Sequence, residues 1–145
     1  MKKYELTANT KNVCGKTLFQ IKALVDFGNV KAGELGGYIE KEENLSHDGN
    51  AWIFENAKVY DNAKVYGNAE ISGCAWIHGN ALIYDNAQIY GDAEIYDNAC
   101  ICGTACVYDY AKVYDDAWIY GNAQIYGQAW ISDSAKVYGN TKICF

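Results

Sequence analysis

Apolar positions recur every six residues along the chain from Ala51 onward. In each unit a β-branched aliphatic residue follows an alanine by two positions, as in AKVYDN and ALIYDN. Thr141 replaces the alanine in the last unit only. Sixteen aliphatic positions keep one register: Ile53, Val59, Val65, Ile71, Ile77, Ile83, Ile89, Ile95, Ile101, Val107, Val113, Ile119, Ile125, Ile131, Val137 and Ile143. A period this regular predicts a repeat architecture.

Each unit reads as a short strand followed by a corner. Alternation within Ala-x-Ile-Tyr places Ala and Ile on one side of the strand, and x and Tyr on the other. The Gly-Asn or Asp-Asn pair that follows tolerates left-handed backbone angles. Hairpins need longer strands that reverse direction, so corners every six residues instead turn the chain steadily around an axis and stack parallel strands. The small Ala and the branched Ile or Val are expected to fill the interior.

This unit resembles the hexapeptide repeat of left-handed β-helix proteins, in which three hexapeptides make one triangular coil. The resemblance implies an all-β fold, a left-handed parallel β-helix, over residues 47–145, with roughly five and a half coils. At a strand spacing of about 4.8 Å the prism would be on the order of 25 Å long. One departure from the family is that the position after the aliphatic residue, often small there, is mostly Tyr here.

Residues 1–46 break the period and predict a small N-terminal β cap. Strands are expected at residues 4–7 and 18–25, and a solenoid needs a cap because its first coil exposes strand edges and core. The segment DFGNVKAGELGGYIEKEENLS resembles the leading segment DF-x-x-VKAG-x-LGG-[YW]-[IV]-E of hexapeptide proteins common in phages and prophages. Members of that family carry labels such as transferase or polymer-forming protein on the strength of the repeat alone. The resemblance therefore implies a phage setting and supplies no catalytic residues.

Composition narrows the possible partners. The formal charge of −6 and the absence of a basic run argue against a nucleic-acid partner, which requires clustered Lys and Arg. No apolar stretch is long enough to span a membrane, and Met1-Lys2-Lys3 leads into polar residues, so neither a membrane partner nor a signal peptide is expected. We therefore expect a cytoplasmic protein, inside the bacterial host, whose six cysteines are free thiols.

The sequence offers few candidate catalytic residues. His78 occupies an outward position that usually holds Tyr, and His47 lies in the aliphatic register one step before Ile53. Neither histidine has an inserted loop beside it, and no acid or nucleophile is readable as its partner. Two histidines cannot supply the three ligands of a carbonic anhydrase-type zinc. No cofactor or metal is expected. The sequence favours a non-catalytic protein over an enzyme and leaves both open.

The outward positions carry most of the aromatic residues. All four tryptophans, Trp52 included, precede an aliphatic residue, and most tyrosines follow one. Positions 18 residues apart share a face of the prism. On one face the sequence places Trp76 and Trp130 in a column with Lys112, beside a column of His78, Tyr96 and Tyr114. These six residues, Trp76, His78, Tyr96, Lys112, Tyr114 and Trp130, are the candidate ligand-binding residues.

Three functions remain open at this point. Outward Tyr and Trp favour packing between copies, and the family resemblance implies a homotrimer. Aromatic clefts between subunits could then sequester a small nucleotide-type ligand, such as a host defence signal, because bases stack on aromatic rings. The alternatives are an acyltransferase that uses His78 or His47, and a structural spacer or polymer that stacks end to end.

Overall fold

The computed structural model describes residues 2–145 and consists almost wholly of short strands. One turn of 3-10 helix, η1, spans Glu42–Asn44. The nineteen strands are β1 Tyr4–Val13, β2 Lys16–Ala23, β3 Leu35–Ile39, β4 Trp52–Ile53, β5 Lys58–Val59, β6 Lys64–Val65, β7 Glu70–Ile71, β8 Trp76–Ile77, β9 Leu82–Ile83, β10 Gln88–Ile89, β11 Glu94–Ile95, β12 Cys100–Ile101, β13 Cys106–Val107, β14 Lys112–Val113, β15 Trp118–Ile119, β16 Gln124–Tyr126, β17 Trp130–Ile131, β18 Lys136–Val137 and β19 Lys142–Cys144.

The strands form three sheets that wind as a parallel β-solenoid of about six turns. Sheet I has the order β1-β2-β3-β5-β8-β11-β14-β17, sheet II the order β6-β9-β12-β15-β18, and sheet III the order β4-β7-β10-β13-β16-β19. Strands of successive coils pair in parallel with a shift of 18 residues, as Ile77 pairs with Ile95. The predicted all-β parallel solenoid is confirmed.

The core is built from the two inward positions of each repeat. The alanines from Ala51 to Ala129 and the aliphatic residues from Ile53 to Ile125 are at most 1% exposed. Backbone N–H groups of one coil donate to carbonyl groups of the next, for example Tyr96 N to Val113 O at 3.0 Å. The continuous interior and these ladders account for the stability of strands only two residues long.

Corners turn through a residue with positive φ, as the sequence predicted. Asp61, Asp97, Asp115 and Asp133 have φ of 57–58°, and glycine holds the equivalent position in other coils. Asp and Gly are the residues that tolerate this backbone region best. We call the corner between sheets I and II the first corner; it comprises residues 61–62, 79–80, 97–98, 115–116 and 133–134.

The N-terminal segment is a hairpin joined to the solenoid by β3. Strands β1 and β2 pair antiparallel around the two-residue turn Cys14-Gly15, whose φ values of 50° and 79° are typical of hairpin turns. Strand β3 pairs antiparallel with β2 on one edge and parallel with β5 on the other. The hairpin therefore continues sheet I.

Parallel stacking already includes residues of the predicted cap. Ile39 pairs with Val59, and Leu45 forms a bridge with Val65, so Ile39, Leu45 and Ile53 supply the aliphatic side chains of the first coil. The expectation that His47 lies in the aliphatic register is therefore wrong. The step from Leu45 to Ile53 is eight positions instead of six, and His47 falls in this longer connection. The division into residues 1–46 and 47–145 stays a prediction.

Two outward aromatic residues at the start of the solenoid are covered by the N-terminal segment. Trp52 is 0% exposed and packs edge-on against Tyr4 and Phe27, with ring centroids 6.1 Å and 5.3 Å away. Tyr60 is 3% exposed and packs against Val13. Trp52 was expected on the outer surface; its side chain is outside the coil, but the N-terminal segment buries it.

No helix in residues 2–145 is both long and apolar enough to cross a membrane.

Candidate functional site

A column of stacked rings runs along sheet I. Tyr60, His78, Tyr96 and Tyr114 follow strands β5, β8, β11 and β14, so each lies one coil beyond the last. Their ring centroids are 4.9 Å, 5.1 Å and 5.1 Å apart, and the planes differ by 4° or less. Stacked strands impose this spacing, because neighbouring coils lie about 4.8 Å apart. Three of the six predicted residues thus form one continuous stack, which we call the ring column.

The other three predicted residues lie beside the ring column in strands β8, β14 and β17. Trp76 and Trp130 are 37% and 61% exposed. The Lys112 Nζ atom lies 5.3 Å from the centroid of the Trp130 ring, within the range of a cation–π contact, and 3.8 Å from Glu94 Oε1. The structure therefore brings all six predicted residues to one face, and Glu94 partly neutralises the cation among them.

His78 has carboxylate partners that the sequence did not reveal. Its Nε2 atom lies 2.9 Å from Glu94 Oε2, and its Nδ1 atom lies 4.0 Å from Asp61 Oδ2. A side chain that follows a strand leans towards the strand of the next coil, so residues 16 apart meet. Tyr84 and Cys100 show the same relation, with 3.6 Å between oxygen and sulfur. The 18-residue period could have suggested that Glu94 lies near His78. The contact of His78 with Asp61 could be seen only from the geometry of the first corner.

The hairpin tip closes one end of the ring column. Leu18 and Val13 pack on Tyr60, and Lys16 forms an ion pair with Asp61. Burial beneath the tip raises the pKa of the Tyr60 hydroxyl well above its usual value. At Asp61, burial works against ionisation, but hydrogen bonds from Lys16 and from the Gly79 N–H hold its pKa below the usual value.

The opposite end of the ring column is open. Ser132 occupies the position where a fifth ring would continue the stack beyond Tyr114. The ring face of Tyr114 on that side has no aromatic neighbour among the stacked pairs of residues 2–145. Trp130 is exposed on the adjacent strand. A planar ligand ring could therefore stack on Tyr114 at the spacing that the column already uses.

Grooves run on both sides of the ring column. One has a volume of 370 Å³ and is lined by Cys74, Trp76, Asp92, Ala93 and Glu94. The other has a volume of 580 Å³ and follows the first corner; it is lined by Gly79, Asn80, Asp97, Asn98, Asp115, Asp116, Asp133 and Ser134. Both carry carboxylates, so an anionic ligand would be held by Lys112 at the open end and repelled from the grooves.

His47 has a structural role, because both of its ring nitrogens are hydrogen-bonded. Its Nδ1 atom accepts the Lys3 backbone N–H at 3.0 Å, so Nε2 carries the hydrogen and donates to Glu42 Oε1 at 2.8 Å. Its ring stacks on Tyr4 with centroids 4.2 Å apart. Hydrogen bonds from His47 and Lys2 lower the pKa of Glu42. Because both ring nitrogens are used, His47 can accept a substrate proton only if the N-terminal strand moves.

The six cysteines are free thiols in the structure. Burial raises the pKa of Cys100 and Cys106, which disfavours the nucleophilic thiolate at these two positions. Hydrogen bonding to Cys100 and Cys102 likewise raises the pKa of Tyr84. Within residues 2–145 no group of three or more His, Cys, Asp or Glu side chains is arranged to hold a metal ion.

Comparison with protein-family models gives no match. Over 52 residues the chain is 42% identical to a protein of Escherichia coli (strain K12) described as the uncharacterized acetyltransferase YdcK. The matched stretch is 36% of this chain and spans 15% of the length of that protein.

Proposed function

We propose that this protein is a non-catalytic binding protein that sequesters a small nucleotide-type ligand on the aromatic face of sheet I, in a cleft completed by another copy, as in a homotrimer. The open end of the ring column carries the proposal. Tyr114 is half-buried and has no aromatic ring stacked on its far side, Trp130 is 61% exposed beside it, and Lys112 lies 5.3 Å from the Trp130 ring centroid. Ring stacking contributes about 1–3 kcal/mol per base.

A phosphate group on the ligand would compete with Glu94 for Lys112. Its Nζ atom is 3.8 Å from Glu94 Oε1, so a phosphate must draw the lysine away from this carboxylate. We therefore expect stacking to supply most of the affinity and the phosphate to contribute little while Glu94 is charged. The resemblance of residues 26–46 to phage and prophage proteins supports a host signalling nucleotide as the ligand.

Isothermal titration calorimetry with cyclic di- and trinucleotides and ADP-ribose derivatives tests the proposal. Trp130→Ala should weaken the tightest ligand about tenfold, which corresponds to 1.4 kcal/mol. Glu94→Gln should strengthen binding of phosphorylated ligands and leave the matching nucleosides unchanged. Lys112→Met should weaken binding of phosphorylated ligands. The control is Lys142→Met, which removes an exposed lysine on sheet III. Absence of binding heat across the panel would overturn the proposal.

An acyltransferase is the second candidate, for two reasons. The Escherichia coli relative is described as an acetyltransferase, and the Nε2 atom of His78 is 2.9 Å from Glu94. A carboxylate that orients a histidine is the arrangement of a general base. Acetyl-CoA consumption that falls at least a hundredfold in both His78→Gln and Glu94→Gln would support it. Turnover that persists after both histidines are replaced would exclude the mechanism.

A further inference from the structure

The outward residues of sheet III form a column that is complementary to itself when it is reversed. Over five coils this column holds, in chain order, Glu70, Gln88, Cys106, Gln124 and Lys142. It therefore has a carboxylate at one end, an ammonium group at the other, an amide on each side of the middle and a thiol at its centre. Turned end to end, the column presents an opposite charge to each of its own charges.

The neighbouring column of sheet III has the same symmetry. Its members over these coils are Ser72, Tyr90, Tyr108, Tyr126 and Cys144, so a small residue lies at each end of three rings. The ring centroids are 4.8 Å and 5.2 Å apart, and the planes differ by 5° or less. Between its charged ends, sheet III thus presents tyrosine, amide and thiol groups. A surface rich in tyrosine and poor in charge is typical of the centre of a protein interface.

The two end charges have no ionic partner in the part of the chain that the structure describes. No ion pair within 4.0 Å includes Glu70 or Lys142. Glu70 and Gln88 line a groove of 240 Å³, whose other walls include Asn68 and the loop of residues 28–30. The groove is large enough for one lysine side chain, and carboxylate and amide oxygens accept hydrogen bonds from an ammonium group.

We infer that sheet III docks face to face on sheet III of a second copy, with the two solenoids antiparallel. The two-fold axis runs along strand β13, so each column faces the same column of the second copy. Glu70 then faces Lys142 of the second copy, and the same pair occurs again on the other side of the axis. Cys106 lies at the axis and faces Cys106 of the second copy. Because the contact is isologous, the dimer is closed.

The charges favour both the antiparallel orientation and the choice of sheet. A parallel pairing of the same faces would bring Glu70 level with Glu70 and Lys142 level with Lys142, and like charges repel. Reversal about the middle residue places Glu94 against Glu94 on sheet I. On sheet II it places Lys64 against Lys136. Only the column of sheet III gains opposite charges when it is reversed about its middle residue.

The N-terminal segment leaves the docking surface accessible. Phe27 packs on Trp52, and Trp52 pairs with Glu70 one coil further along the column. The covered coil therefore lies outside the stretch from Glu70 to Lys142 that the two copies share. The ring column on sheet I also stays uncovered. The docking thus goes beyond the proposed function and does not depend on it.

Cysteine cross-linking tests the docking in a parent chain whose three exposed cysteines, Cys14, Cys74 and Cys144, are replaced by serine. Copper(II)–phenanthroline, which accepts the two electrons of disulfide formation, should link Cys106 to Cys106 of the second copy. The product has twice the 16.1 kDa mass of the chain on a non-reducing gel. Cys106→Ser should abolish it.

The orientation is tested in the Cys106→Ser form of the parent chain. A mixture of Gln88→Cys and Gln124→Cys chains should cross-link, because these positions face one another in the antiparallel dimer. Neither chain alone should do so. In a dimer of identical chains the introduced cysteines lie two coils apart, about 10 Å, which is beyond the reach of a disulfide.

Charge exchange tests the two end pairs. Glu70→Lys and Lys142→Glu should each lower the yield of the Cys106 cross-link about fivefold or more, because like charges then face one another. The double variant should restore the yield. Lys64→Glu, on sheet II, is the matched control and should cross-link like the parent chain.

Absence of the Cys106 cross-link would overturn the docking, and so would a yield that neither single charge reversal lowers. Cross-linking of Gln88→Cys chains with one another would show a parallel contact and would also overturn it. The same holds for a double charge variant that is folded by circular dichroism but does not regain the cross-link. Ligand binding is measured separately by calorimetry, and Lys142→Glu should leave it unchanged.

Discussion

The two ends of the solenoid use the same residue types in the same repeat positions, but they differ in exposure. Trp52 and Trp130 both precede an aliphatic residue, and they are 0% and 61% exposed. Tyr60 and Tyr138 both follow one, and they are 3% and 57% exposed. The repeat thus determines which way a side chain points, whereas the N-terminal segment determines whether water reaches it.

The largest expected difference between the two ends comes from the tryptophans. Trp52→Ala should lower the free energy of unfolding by about 3–5 kcal/mol, because it leaves a cavity beneath Tyr4 and Phe27. Trp130→Ala should change it by less than about 0.5 kcal/mol, since its ring is mostly in water. Urea unfolding followed by far-ultraviolet circular dichroism measures both. Equal losses at the two positions would show that the N-terminal segment does not stabilise the first coil.

A second pair compares glycines. A methyl group on Gly37 would lie 2.5 Å from Ile53 Cγ2 and 2.6 Å from the Ala57 carbonyl oxygen, so Gly37→Ala should cost about 2–3 kcal/mol by overpacking. Gly139 has φ of +63° and open space around it. Gly139→Ala should therefore cost only the left-handed strain of about 1 kcal/mol. Thermal denaturation ranks the two variants, and a larger loss at Gly139 would contradict the close approach of β3 to Ile53 and Ala57.

Tyrosine hydroxyl groups should show a smaller contrast. The Tyr4 hydroxyl donates to the carbonyl oxygens of Leu45 at 2.6 Å and Glu42 at 3.0 Å. Tyr4→Phe leaves these acceptors unsatisfied and should cost about 1–2 kcal/mol. Tyr138→Phe, at an exposed position, should be neutral within about 0.5 kcal/mol. Chemical denaturation of both variants measures the difference, and a neutral Tyr4→Phe would mean that water replaces the buried contact.

The smallest effect concerns pH and Lys3. Burial lowers the pKa of Lys3 to about 8, and its Nζ atom donates to the Ala51 carbonyl oxygen at 2.7 Å. Above pH 8 the unfolded chain binds more protons at this residue than the folded chain, so stability should rise with pH. The gain from about pH 7.5 to 8.5 should be under about 1 kcal/mol. It should disappear in Lys3→Met, whereas Lys136→Met, at the far end, should keep it.

Much of the solenoid was predictable because the period constrains every coil in the same way. The aliphatic register, the inward alanines and the corners with positive φ all follow from local backbone and packing rules, and all are observed. The columns that bring Trp76, Lys112 and Trp130 together follow from the 18-residue pairing. The predicted position of His47 was wrong because the connection from Leu45 to Ile53 is longer than six residues. A regular period does not indicate where the spacing changes.

The sequence by itself determined the three-sheet solenoid, the outward direction of Tyr and Trp, and the membership of the ring column, because repeated local geometry is additive along the chain. Tertiary structure alone decided that the N-terminal segment covers Trp52 and Tyr60, that His78 lies near both Glu94 and Asp61, and that the hairpin tip closes the ring column at Tyr60. These features depend on contacts between residues 16 to 48 positions apart, from His78–Glu94 to Tyr4–Trp52, that the six-residue period does not specify. For that reason the aromatic face and its end at Ser132 were readable from the sequence, whereas its closure by the hairpin tip was not.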